Sequence, residues 1–239
     1  MKSKFALFAI AGIMLLRVAS ANSLCTTESL ASYIALGSAG CAIGSDTFAS
    51  FTIISPGTAG ATTIDPSVVA VTPSGSTTDP ALTFSTNLTA ISGQLLEAFF
   101  NYTVAGASFT SDTLTLSAAT EAVDGAITDI QNYCFGGNFG PDGVDGCNTT
   151  NGALLGLDGA QNTDSTTIAG ATTLGITDDF TIDGGPPNDP GSVATGGTFA
   201  DQFTANATSS PTPEPGALLL TAFGLSLAAL RKIRRNNHA

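Results

Sequence analysis

The chain has 239 residues, with nineteen Asp and Glu against seven Lys and Arg and a single His, for a formal charge of −12. Every basic residue lies near an end (Lys2, Lys4 and Arg17; Arg231, Lys232, Arg234, Arg235 and His238), so residues 22 to 212 hold all the acidic groups except Glu214, eighteen of them, and no cation. Such a body cannot neutralise phosphates, which excludes nucleic acid, nucleotide phosphates and anionic lipid surfaces as electrostatic partners.

At the start, Met1-Lys2-Ser3-Lys4 is basic, Phe5 to Leu16 is apolar, and Ala19-Ser20-Ala21 is a small-x-small site. This pattern predicts a Sec-type signal peptide over residues 1–21, removed by signal peptidase after Ala21, with Asn22 as the mature N-terminus. The exported chain then keeps Cys25, Cys41, Cys134 and Cys147, an even number in a compartment where disulfides form and persist. Three connectivities are open. The sequence-local one, Cys25 with Cys41 and Cys134 with Cys147, closes loops of roughly fifteen residues, each stabilising by ~3 kcal/mol in the chain-entropy model. Zinc is the rival reading, and the absence of a Cys-x-x-Cys pair and of any His in the body argues against it.

Through the body, apolar residues recur with a period of two, which is strand spacing. Leu82 and Phe84 alternate with Thr83 and Ser85, Leu96 to Val104 keep one apolar face, and Leu114 and Leu116 alternate with threonines. Further strands are predicted at Thr47 to Ile54, Val68 to Thr72, Ile127 to Cys134, Ile168 to Leu174, Phe180 to Ile182 and Thr198 to Ala205. Turn clusters such as Pro73-Ser74-Gly75 and Asp124-Gly125 separate them. Many short strands and no long amphipathic helix predict an all-β body over residues 22–206, an antiparallel β-sandwich or jelly roll. The strongest breaker, Gly184 to Gly191, reads as a loop that returns the last strand to the same body.

The missing side chains restrict catalysis. Without His or Lys in the body there is no usual base for a Ser or Thr nucleophile and no Schiff-base lysine, and paired cysteines leave no thiolate. A carboxylate pair acting on a glycosidic bond remains chemically possible, but the chain has no Trp and three Tyr with which to grip a sugar. The residues therefore predict no enzyme. Asp142 with Asp145, and Asp178, Asp179 and Asp183 with Asp189, can offer hard oxygen ligands to Ca²⁺ from loops, although Asp in Gly-rich loops is more commonly a turn former. No other cofactor is expected.

Residues 207–212, Ser-, Thr- and Pro-rich, form a linker to the last segment, residues 213–239. There Pro213-Glu214-Pro215 precedes an apolar run from Gly216 to Leu230 and the basic tail Arg231, Lys232, Arg234 and Arg235. As a helix, 216–230 would reach about 22 Å, short of a ~30 Å hydrocarbon core, and the basic tail would hold its end on the cytoplasmic side. The tripeptide, short apolar helix and Arg-rich end, in that order, resemble the PEP-CTERM sorting signal of Gram-negative bacteria. The resemblance implies recognition by an exosortase, a membrane-embedded transpeptidase-like enzyme that cuts near the tripeptide. It also implies passage through the inner membrane and delivery to the cell surface or extracellular matrix, in association with exopolysaccharide.

The expected function is thus that of an exported, non-catalytic surface or matrix protein. The alternative is a carbohydrate-binding module or adhesin, Ca²⁺-assisted, whose mark would be exposed Tyr or Phe residues forming a coplanar platform, with Tyr33, Tyr102 and Tyr133 the only candidates that carry a polar handle.

Overall fold

The computed structural model describes residues 23–54, 58, 60–117, 120–140, 146–147, 149, 151–157 and 161–206. The expected signal peptide with Ala19 and Ala21, the sorting motif Pro213, Glu214 and Pro215, and the basic tail all lie outside the described residues, as do Asp142 and Asp145. The described residues fall in the compact unit that ends at Asn206.

The chain is all-β. In order it forms β1 (Ser23–Leu24), β2 (Glu28–Ser29), α1 (Leu30–Ala35), β3 (Cys41–Ile43), β4 (Asp46–Ile54), β5 (Ala61–Thr63), a 3-10 turn (Pro66–Val68), β6 (Ala70–Ser74), β7 (Ala81–Ser85) and β8 (Thr89–Ile91). There follow β9 (Leu95–Ser117), β10 (Thr120–Ala122), β11 (Ala126–Phe135), β12 (Asn151–Leu157), β13 (Thr163–Asp183), β14 (Val193–Thr195) and β15 (Thr198–Ala205). Twelve strands join one sheet, and β10, β14 and β8 form a second.

Strand β9 organises the large sheet. One edge pairs antiparallel with β13 from Leu95 to Thr115; the other is shared, its first half by β4 and its second by β15. From β15 the sheet continues through β7 and β6, and from β13 through β11 to β12. The last strand thus joins the same sheet, as the reading of the Gly184 to Gly191 loop expects.

The periodicity at Leu96 to Val104 and at Leu114 to Leu116 belongs to one strand of 23 residues, not two. Likewise the expected strands Ile168 to Leu174 and Phe180 to Ile182 are parts of one strand of 21 residues. Between the halves the register of β13 against β9 shifts between Thr167 and Ala171 and back between Ala171 and Thr173, so the in-and-out alternation is broken locally before it resumes and the pattern looks interrupted. Gly170, at φ 74°, supplies a left-handed residue there.

That irregularity also curls the sheet. Asp201 pairs with Leu114, twelve positions beyond Tyr102 on β9, about 40 Å along a straight strand at ~3.3 Å per residue. Yet Tyr102 and Asp201 are hydrogen-bonded at 2.6 Å. The two halves of β9 therefore face each other across the core. Phe199 of β15, which pairs with the second half, stacks on Phe84 and on Phe100 of the first half, with ring centroids 4.7 and 5.6 Å apart, and meets Phe180 at a tilt, 5.0 Å away.

The first helical turns are short and capped. Ser29 accepts a hydrogen bond from the Ser32 backbone N–H, and α1 buries Leu30 and Tyr33 against the core. Both sequence-local disulfides are formed, Cys25–Cys41 beside β3 and Cys134–Cys147 at the end of β11.

Candidate functional site

The most unusual chemistry lies inside the core. Strand alternation gives β11 an inward face of Ile127, Asp129, Gln131 and Tyr133, and gives β15 one of Phe199, Asp201, Phe203 and Ala205. On β13, Leu174, Ile176, Asp178, Phe180 and Ile182 point inward; on β9, Tyr102 and Asp112 do. Four strands therefore each place a carboxyl where an apolar residue belongs, and Asp112, Asp129, Asp178, Asp201 and Gln131 have no solvent exposure at all.

Register explains how they meet. Gln131 is directly opposite Asp178, and Asp129, opposite Phe180, is its diagonal neighbour. Asp112 stands opposite Phe203, diagonal to Asp201. Such diagonal pairs on one face lie ~7–8 Å apart, within mutual electrostatic reach. The curl then brings Asp201 against Tyr102, whose hydroxyl donates to its Oδ2.

Burial is the main force on these groups. It pushes the carboxyls of Asp112, Asp129 and Asp178 well above the ordinary carboxylate range, and in each the neighbouring Asp201 adds to the rise. Asp201 is pushed up to about 7 by burial, with hydrogen bonds from Tyr102 and Asp178 pulling the other way. Tyr102 is held neutral by burial and then by Asp201. Asp178 and Asp201 bond to one another only if a proton lies between them, because two carboxylates are both acceptors. With no donor to meet, both oxygens of Asp129 lack a hydrogen-bond partner among the described residues, as do the carbonyl and amine of Gln131.

The expected Ca²⁺ ligands are not brought together. Asp178 and Asp179 are successive residues of β13 and point to opposite faces, so they cannot share one ion. Asp183 instead caps the strand end by accepting from the Gly185 N–H at 2.8 Å, and Asp189 lies in the turn beyond it. Among the described residues no three acidic, Cys or His side chains converge to hold a metal ion. Asp179 on the outer face is pushed up to about 6, first by partial burial and then by Glu97.

On the outer face of β4, β9 and β13 lies a cleft of about 400 Å³, lined by Ser50, Thr52, Asn101, Thr103, Asn138 and Phe139 among others. Among the described residues no charged side chain lines it. Its Asn101 accepts a hydrogen bond from the Thr177 hydroxyl at 2.5 Å. The loop after β11 folds over it because Gly175 has no side chain: a Cβ there would stand 2.7 Å from the Gly137 carbonyl oxygen and 2.9 Å from the Asn138 Cα. Ser50 adopts φ 57° where β4 bulges between Ala49 and Thr52. The tyrosines, Tyr33, Tyr102 and Tyr133, are all buried and offer no exposed platform.

Sequence reasoning missed the interior cluster. Its signal was present, an Asp in phase with the apolar positions of Asp112-x-Leu114-x-Leu116, Ile127-x-Asp129-x-Gln131, Ile176-x-Asp178-x-Phe180 and Phe199-x-Asp201-x-Phe203. No family model matches the chain, and no curated protein or solved structure is significantly similar to it.

Proposed function

We propose that this is an exported, non-catalytic component of the cell surface or extracellular matrix, whose curled sheet is a sandwich-like structural body. In this reading the terminal signals carry it through the inner membrane, and an exosortase cuts it near Pro213-Glu214-Pro215. The observation that carries the export is the pair of formed disulfides, which fits an oxidising compartment such as the periplasm or the exterior. The body offers no nucleophile and base pair: no His or Lys lies in it, and no Cys is free among the described residues. Replacing Pro213, Glu214 and Pro215 with alanine tests the sorting. The variant should accumulate in the inner membrane, and normal delivery to the surface would contradict the reading.

The cleft, whose described lining carries no charge, favours one second reading, a carbohydrate-binding or adhesive module for neutral sugar chains. Hydroxyl and amide groups beside the half-buried Phe139 suit such a ligand, and the acidic body repels anionic ones. Calorimetric titration with neutral oligosaccharides tests it, with Phe139→Ala as the variant expected to abolish the heat. No heat with any neutral oligosaccharide would exclude it.

A further inference from the structure

We infer that the interior cluster is a proton store that locks the fold: Asp112, Asp129, Asp178 and Asp201 enter the core as carboxylic acids, hydrogen-bonded among themselves and to Tyr102 and Gln131, and their ionisation opens the body.

Inside the cluster, acceptors outnumber donors. The six side chains are fully or almost fully buried and come from β9, β11, β13 and β15. If all four carboxyls were ionised, they would present eight acceptor oxygens, and Gln131 a ninth. Against these the six side chains offer as donors only the Tyr102 hydroxyl, already given to Asp201, and the Gln131 amine. No Lys, Arg or His occurs between residues 22 and 212 to supply more. A proton on each carboxyl adds the missing donors. One between Asp178 and Asp201 closes that contact, and one on Asp178 faces the directly opposite Gln131, whose carbonyl has no partner among the described residues.

The surroundings reinforce this. From β7, Leu82 and Phe84 face the interior, and from β4, Phe48 and Phe51 do, so neither adds a charge. Asp179 faces outward beside Glu97, so it adds only negative potential. Asp46, the other fully buried Asp, stands at the bend beside Gly106 and adds no positive charge either. An isolated ionised carboxylate in such a core is far more costly than a protonated one, so the group neutralises.

The direction of the pH effect follows. In the unfolded chain these groups titrate near ~4. In the folded chain Asp201 titrates at about 7 and the other three are displaced the same way. Between these limits the folded state binds more protons than the unfolded one, so stability is highest below ~4 and falls as pH rises through the folded values. For each proton retained, the folding constant falls about tenfold per pH unit. The result is a body that is locked in mild acid and loosened in alkali.

The test uses the mature, disulfide-intact protein at fixed ionic strength, first stripped of metal with EDTA and then freed of the chelator so that Ca²⁺ or Mg²⁺ can be added back in a parallel series. Infrared spectroscopy at pH 7 should show the C=O stretch of protonated carboxyl groups in the folded protein, lost on unfolding. Urea titrations from pH 4.5 to 8.5 should give a steep fall in the folding constant. Asp201→Asn and Asp178→Asn should each make that fall shallower by about tenfold per pH unit, while the turn variant Asp189→Asn should not. Absence of the protonated-carboxyl band in folded wild type overturns the inference even if the variants fail to fold. So does saturable one-to-one rescue at pH 8.5 by Ca²⁺ but not Mg²⁺, which would make the cluster a cation site.

Discussion

Tyr102 and Asp201 are ninety-nine residues apart in sequence and joined by a 2.6 Å hydrogen bond inside the core. That bond ties the first half of β9 to β15 across the curl. Tyr102→Phe removes the donor and leaves a buried carboxyl. A buried hydrogen bond contributes about 1 kcal/mol when both partners are neutral and about 1.5–3 kcal/mol when one is charged. The variant should therefore lose about 1 kcal/mol at pH 5 and more at pH 8, above the value near 7 at which Asp201 ionises. Urea denaturation at the two pH values measures the difference.

The aromatic stack gives a larger effect. Phe199 has no exposure and touches three other Phe rings, so Phe199→Ala leaves a cavity and should cost about 3–5 kcal/mol. Ile91→Ala, at a side chain 55% exposed, should change stability by less than about 0.5 kcal/mol. Thermal melts of the two variants side by side decide whether the stack is the centre of the core.

The class of fold and both disulfides are legible in the sequence because they rest on local regularities: a period of two, turn residues, and cysteines thirteen and sixteen positions apart. Strand ends are legible where both flanks hold turn formers, as with Thr198 to Ala205, which the structure reproduces to the residue. The length of β9 and β13 is not, because an irregularity interrupts the alternation locally without any Pro or Asp-Gly to mark it. The cluster was hidden for a different reason. An Asp in an otherwise apolar stripe reads as an exposed turn or a loop ligand, and only the curl shows that the stripes of four strands converge. Asp178 illustrates this: sequence reasoning grouped it with its neighbour Asp179, from which pleating separates it.

The loop over the cleft depends on its disulfide. The Cys134–Cys147 bridge spans thirteen positions, so replacing both residues with alanine should cost about 3 kcal/mol in the chain-entropy model and free the Gly136 to Gly140 turn. Limited proteolysis should cut the variant between β11 and β12 while the parent stays whole.

Asp179 allows a milder pH test on the outer face. Its carboxyl, half exposed beside Glu97, is raised to about 6, so its contribution is present below ~4 and is lost as pH rises to about 6. Solvent screening keeps the size below about 1 kcal/mol. Asp179→Asn should flatten the stability profile between pH 4 and 6 and leave the slope above pH 7 unchanged, and added NaCl should mimic part of the effect.

The account as a whole turns on processing at both ends, and intact-mass measurement of the protein recovered from the cell surface or matrix tests it most directly. The predicted species begins near Asn22, ends near Pro213 and contains two disulfides. A surface species that retains Arg231 to Ala239 would contradict the account.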